Sequence, residues 1–161
     1  MRGWWVGLAL GAAPMAFAGE KAADFTLRDL NGQSATLSQY AGKVVVMSFW
    51  ATWCAPCKEE MPHLQTMYNE RKDKGLVVLS ISTDDARSAS RVKPYIEKMG
   101  YNFPVLLDRD STVIGSHNPS KSVPYTVVVD RKGEVVQRIA GYNPGDEAAL
   151  IALVDKLLAA P

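Results

Sequence analysis

Cysteine and histidine are scarce in this chain, with two of each among 161 residues. The shortage narrows the chemistry at once. A zinc site needs about four ligands, and beyond one Cys-x-x-Cys pair only His63 and His117 remain, with no second pair and no paired-His cluster. A framework of structural disulfides is excluded too. The only cysteines, Cys54 and Cys57, are two residues apart and would close almost no loop, whereas a staple gains most across a long one. An excess of one charge is also missing: Lys and Arg total 18 against 17 Asp and Glu, a net charge of +1, with no basic run. Nucleic acid and anionic lipid are therefore not expected as the main partners. No apolar stretch reaches the ~20 residues that a membrane span requires. No internal repeat, low-complexity tract or long linker divides the chain, so residues 19–161 read as one domain of ordinary size.

The first residues carry a different signature. Met1-Arg2 is a short positive start, Trp4 to Ala13 an apolar core followed by Pro14, and Ala16-Phe17-Ala18 an A-x-A cleavage site. This pattern predicts an export signal over residues 1–18, with an uncleaved anchor as the alternative. No cysteine lies near the cleavage point, which excludes lipid attachment there. Removal of the segment takes away Arg2 and brings the net charge from +1 to zero. The expectation is a periplasmic domain without stable membrane insertion after cleavage. An oxidising compartment favours structural disulfides, yet this chain spends both cysteines on one small ring. Thiols that must cycle are used in that way.

Sequence position strengthens the point. An extended apolar run, Val44 to Trp50, leads straight into Trp53-Cys54-Ala55-Pro56-Cys57-Lys58, and a helical pattern follows. A strand that ends in Cys-x-x-Cys and opens a helix is the setting of redox thiol chemistry.

Elsewhere, alternating segments over Asp24–Asp29 and Ser34–Leu37 flank Asn31-Gly32, a hairpin turn signal. A helical turn at Ser38–Tyr40 closes at Gly42. Lys43–Trp50 is apolar on both faces, as a covered central strand should be, with Ser48 its one polar member. Helix follows from Cys54 to Lys74, with Cys57, Met61, Leu64, Met67 and Tyr68 as its buried stripe, Pro62 a kink and Gly75 its end. Leu76–Ser82 reads as a buried strand and Asp84-Asp85 as a solvated loop. Ser88–Met99 reads as a helix broken at Pro94, Phe103–Leu107 as a short strand, and Thr112–Gly115 as a helical turn. Tyr125–Val129 and Glu134–Ala140 form a hairpin around Asp130-Arg131-Lys132-Gly133, and Asp146–Ala160 is an amphipathic closing helix. His63 and His117 read as surface residues. The alternation predicts an α/β class with a mixed central sheet flanked by helices.

Three stretches carry a family resemblance: Asp24-Phe25-Thr26-Leu27 with Gly42-Lys43-Val44-Val45-Val46, then Phe49-Trp50-Ala51-Thr52-Trp53-Cys54-Ala55-Pro56-Cys57, then Val123-Pro124-Tyr125-Thr126. On these the chain resembles the thioredoxin superfamily, within it the exported TlpA-like and ResA-like thiol–disulfide oxidoreductases. The resemblance implies a thioredoxin fold with an N-terminal β-hairpin, a central βα insertion over Leu76–Met99, and a cis Val123–Pro124 bond facing the dithiol. No cofactor is implied beyond the redox-active disulfide. The segment Gly115–Ser122 departs from the family in being longer and more polar, which puts partner choice by analogy in doubt.

Residue chemistry assigns the roles. Only a thiolate attacks a disulfide, and free thiols titrate near ~8.5. Cys54, at the start of the helix, has unpaired N–H groups and the dipole to favour its anion, so it is expected to be the exposed nucleophile. Cys57 falls on the inward stripe as the resolving thiol. Glu60 lies three residues beyond Cys57 on that stripe and is the candidate proton acceptor, its pKa raised by apolar surroundings; the alternative is a half-exposed helix acid. Thioredoxins use a buried aspartate from the preceding strand, where this chain has Ser48, and ResA-like proteins a glutamate at the position of Glu60. A cis Pro124 would free the backbone of Val123 to pair with a client strand. Trp53 either shields the dithiol and contacts partners or is only a hydrophobic neighbour.

The expected function is reduction of disulfide-containing client proteins, with a membrane thiol electron donor restoring the dithiol; cytochrome c maturation is the familiar duty of such proteins. Ala-Pro between the cysteines resembles reducing members rather than the Pro-His of strong oxidants. Two rivals remain. A thiol peroxidase of peroxiredoxin type would need proline at Met47 and threonine at Ala51, and both are absent. A Cu(I) carrier or copper-related reductase would use soft ligands, and Met47, Met61 and Met67 lie nearby in sequence, though core is the simpler reading of all three.

Overall fold

The computed structural model describes residues 19–161, and the expected export signal over residues 1–18 lies outside the described residues. In chain order the strands are β1 (Thr26–Asp29), β2 (Ser34–Thr36), β3 (Val44–Trp50), β4 (Leu76–Ser82), β5 (Val105–Leu107), β6 (Tyr125–Val129) and β7 (Val135–Ala140). The helices are α1 (Ala55–Arg71), α2 (Val92–Met99), α3 (Thr112–His117) and α4 (Asp146–Ala159). All seven strands join one sheet in the order β2-β1-β5-β4-β3-β6-β7. The pairs β3–β4 and β4–β5 are parallel and the rest antiparallel, as a mixed α/β sheet requires. The first hairpin turns where Asn31-Gly32 predicts: Gly32 takes φ +80°, and Asp29 Oδ1 accepts from the N–H groups of Asn31 and Gln33.

Strand alternation sorts the core into two layers. Every residue of β3 is buried. Val44, Val46 and Trp50 pack with residues of α1, α2 and α4, while Val45, Met47 and Phe49 pack on the other face with Leu37, Val113 and Ile114. The same parity puts Ser48 on the α1 face. In β6 it puts Thr126 there too, since Val128 belongs to the α1 layer and Val127 and Val129 to the opposite one.

Helix α1 starts at Ala55 with Cys54 as its N-cap and Pro56 in its first turn, where no intrahelical N–H bond is lost. It continues through Pro62 as one element to Arg71, and a 3-10 turn, Lys72–Lys74, ends at the left-handed Gly75. Pro94 does not break a helix, contrary to expectation. A 3-10 turn at Ala89–Arg91 comes first and α2 begins only at Val92, so Pro94 falls in a first turn that tolerates it.

One side chain ties the end of the sheet far from the cysteines. Arg131 Nη1 donates to Gly42 O at 3.0 Å, and its Nη2 to Leu158 O at 3.1 Å and Lys74 O at 3.5 Å. It thus gathers the carbonyls ahead of β3, after α1 and at the end of α4. Arg131→Ala is expected to cost about 1–3 kcal/mol through lost charge-assisted bonds, read from urea unfolding midpoints at unchanged slope.

Candidate active site

Residues 51–57 form a turn and a helix start at the carboxyl ends of β3 and β4. Cys54 N donates to Ala51 O at 3.1 Å. Cys54 has extended backbone, φ −92° and ψ 106°, and its Sγ accepts from Cys57 N at 3.3 Å. The two sulfurs are bonded at 2.08 Å, with Cα atoms 5.4 Å apart. The first turn of α1 holds no acidic residue. Lys58 Nζ lies 5.1 Å from the Tyr95 ring centre.

Exposure departs from expectation here. Cys54 is 5% exposed and Cys57 fully buried, so in the disulfide form neither sulfur-bearing residue stands open to solvent. The asymmetry has the expected sense but is small, because both residues pack into the α1-side core. Trp53 is the outward residue, 65% exposed.

Glu60 is buried, 6% exposed, not a half-exposed helix acid. Thr126 Oγ1 donates to its Oε1 at 3.2 Å, and its Oε2 finds no hydrogen-bond partner within the protein. Ser48, paired across the ladder with Thr126, contributes a second buried hydroxyl without a partner. Burial pushes the Glu60 pKa up to about 7, the Thr126 bond and, more weakly, the nearby Ser48 hydroxyl opposing this and the negative charge of Asp146 on α4 adding to it. Glu60 also lines a small, partly open pocket with His63, Tyr142, Asp146 and Glu147. His63 is exposed as expected, its Nδ1 3.9 Å from Glu147 Oε1.

On the other side of the dithiol the Val123–Pro124 bond is cis. Phe49 pairs with Tyr125, which sets Val123 and Pro124 beside the end of β3. Val123 packs against the cluster that holds both cysteines, and Pro124 O accepts from Gly141 N at 2.9 Å. The polar segment before it is organised by Asn118, whose Oδ1 accepts from Ser120 N and Oγ and whose Nδ2 donates to Ser122 O and Oγ. Its hydroxyl-rich composition therefore closes the loop on itself.

Two readings of isolated polar residues are corrected. His117 is 7% exposed, not a surface residue, and lies 5.9 Å from Phe49 between ring centres. It continues the inward stripe of Val113 and Ile114 on α3, and burial, with the charge of Arg138, lowers its pKa. Asp84 is not solvated but fully buried. It accepts from Thr52 N at 2.9 Å, Thr52 Oγ1 at 2.6 Å and Ser82 Oγ at 2.8 Å. Ser82 and Asp84 share the α1 side by strand parity, the one signal that could have found it. Met47 lies on the opposite face of β3 from Met61 and Met67, so the three methionines form no single group with the thiols. Among the described residues no cluster of three or more His, Cys, Asp or Glu is placed to hold a metal, and no helix is long and apolar enough to cross a membrane.

Fold and site together define a thioredoxin-like α/β enzyme, a thiol–disulfide oxidoreductase with one Cys-x-x-Cys pair. The chain belongs to the AhpC/TSA family, whose model matches residues 18–138. It is 37% identical over 123 residues to the thiol-disulfide oxidoreductase ResA of Geobacillus kaustophilus, covering 76% of this chain and 69% of that one. Solved structures agree. A Chlorobium tepidum protein provisionally named thiol:disulfide interchange protein DsbE superposes with a TM-score of 0.80 at 29% identity, over 88% of this chain and 97% of its own. The thioredoxin domain of a Bacteroides vulgatus thiol-disulfide oxidoreductase gives 0.70 at 30% identity, over 87% and 96%.

The raised Glu60 pKa has a direct consequence for stability. From its ordinary value of 4.5 up to about 7 the folded protein holds a proton that the unfolded chain has lost. The associated stability is complete below pH 4.5 and is lost as pH rises through 7. A shift of this size corresponds to about 3 kcal/mol. Urea unfolding of the oxidised protein across this range should show the decline, and Glu60→Gln should flatten it.

Proposed function

We propose that this protein reduces disulfides of client proteins outside the cytoplasm, with Cys54 as nucleophile, Cys57 as resolving thiol and Glu60 as proton acceptor. The observation that carries the reading is Glu60: a carboxyl buried one turn beyond Cys57, with a pKa of about 7. A group whose pKa lies near neutrality is well matched to take the proton of a buried thiol there.

In the forward reaction the Cys54 thiolate attacks a client disulfide and expels one client thiolate, forming a mixed disulfide. The Cys57 thiol passes its proton to Glu60, and its sulfur then attacks Cys54, expelling the second client thiolate. The client gains two electrons and Cys54–Cys57 becomes the disulfide. The unpaired N–H groups and dipole of α1 favour negative charge on Cys54 before attack. Val123, ahead of β6, offers its backbone to a client strand, and Trp53 supplies an exposed apolar contact.

The signal-like segment over residues 1–18 supports a periplasmic site of action, with residues 19–161 as the working domain. There a membrane thiol donor would restore the dithiol. Haem-binding cysteines in cytochrome c maturation are a client class that fits a reductant working against an oxidising compartment. Insulin reduction tests the assignment: Cys54→Ser should abolish it, and Cys57→Ser should accumulate a mixed disulfide on Cys54 that dithiothreitol releases. Turnover by Cys54→Ser at the wild-type rate, or peroxide consumption faster than disulfide reduction, would overturn it.

A further inference from the structure

Among the described residues Asp84 is the one fully buried carboxylate that touches the segment leading to the nucleophile, and the exchange chemistry leaves it without a task. It stands two residues past the last β3–β4 ladder pair, Trp50↔Ser82. The register carried forward by two sets it opposite Thr52, whose N–H and hydroxyl it accepts. Its neighbour Thr83 grips the same segment, donating from N and Oγ1 to Trp50 O at 2.8 and 3.2 Å. The residues that follow Thr52 are Trp53 and Cys54.

We propose that Asp84 is a positioning residue that holds the Trp53–Cys54 segment through Thr52, and that its charge opposes the Cys54 thiolate, making the reduced protein a stronger electron donor. The proposal rests on the reading of Cys54–Cys57 as the exchanging pair.

Both carboxylate oxygens accept from donors: Oδ1 from the Thr52 hydroxyl, Oδ2 from Thr52 N and Ser82 Oγ. Among the described residues no basic side chain pairs with Asp84 in an ion pair. The negative charge is hydrogen-bonded but not neutralised, and its field reaches its surroundings. Two residues of chain span at most about 7 Å, so Cys54 lies within reach of that field. At a separation of about 10 Å and an effective dielectric between a protein site and water, one charge shifts a thiol–thiolate ratio by roughly 3- to 10-fold. The sign is fixed. A carboxylate disfavours a second anion nearby, and a dithiol whose thiolate is less stabilised gives up its electrons more readily.

The helices packed around the dithiol carry further titratable groups, among them Lys58, Glu59, Glu60 and His63 of α1, Lys93 and Tyr95 of α2 and Asp146 and Glu147 of α4. Asp84→Asn leaves all of them in place. It is also close to isosteric: with its amide nitrogen at the Oδ1 position it faces the Thr52 hydroxyl, which can turn to accept, while its oxygen keeps Thr52 N and Ser82 Oγ.

The test is the pH profile of Cys54 alkylation by iodoacetamide in the reduced protein. The midpoint reports the thiolate, and the high-pH plateau reports access to it. Asp84→Asn should raise the rate below the midpoint about 3- to 10-fold and leave the plateau within a factor of about two of wild type. Thr52→Val keeps the charge but removes one donor that partly compensates it, so its midpoint should move the opposite way, to higher pH. An Asp84→Asn midpoint that stays put or rises overturns the proposal. So does a Thr52→Val midpoint that stays put or falls, and this variant decides alone if Asp84→Asn does not fold. If the reduced wild-type protein fails to reduce glutathione disulfide, the protein dithiol closing to its disulfide as two glutathione thiols are released, the exchanging-pair reading has failed instead.

Discussion

The packing of α1 on the sheet leaves a carboxyl where only an apolar side chain would ordinarily be stable. Glu60 enters the core beside Met61 and Leu64, and the strands beneath it answer with two hydroxyls, Ser48 and Thr126, rather than with a base. No cation meets it. Held by one hydrogen bond, the group keeps its proton until near neutrality. Ionising it would leave a buried charge with one hydrogen bond, so packing and proton chemistry bear on the same group. A lysine or arginine in place of Ser48 would ionise Glu60 and remove the property that makes it useful.

Strand parity and direction carry this constraint to the cysteines. The carboxyl ends of parallel β3 and β4 and the start of antiparallel β6 meet at one end of the sheet. That end receives the turn before α1, the corner after β4 and the cis-proline loop together. Open α/β sheets bind their ligands beyond the carboxyl ends of their strands. Here the helix N-terminus that favours a thiolate opens at the same place.

What could be read from the sequence was whatever depends on neighbours along the chain. Asn31-Gly32 marks its own turn, the unbroken apolarity of Val44–Trp50 marks a covered strand, and the cysteine pair between that strand and a helix marks redox chemistry. Glu60 was legible because helical spacing ties it to Cys57. Asp84 was not: the alternation of β4 carried past Ser82 points it inward, but only the β3–β4 register sets Thr52 opposite as its donor. His117 was missed for a related reason: a six-residue helix is too short to display its stripe. Cys54 was expected outside from its place at the helix start, yet core packing encloses it in the disulfide form. Pro94 misled because a proline within a helical pattern looks alike whether it breaks a helix or sits in its first turn.

The two buried carboxyls beside the dithiol differ in one countable respect. Asp84 meets three donors, and every one of them belongs to the segments it joins. Glu60 meets one, and one of its oxygens meets none. A carboxylate whose oxygens are all engaged is a fixed acceptor: releasing it breaks a joint, so it serves geometry and field. A carboxyl with an idle oxygen can take up or give back a proton without disturbing what surrounds it, so it serves transfer. Burial is common to both, and hydrogen-bond count separates them. A protein that must hold its nucleophile still while moving protons beneath it needs one carboxyl of each kind.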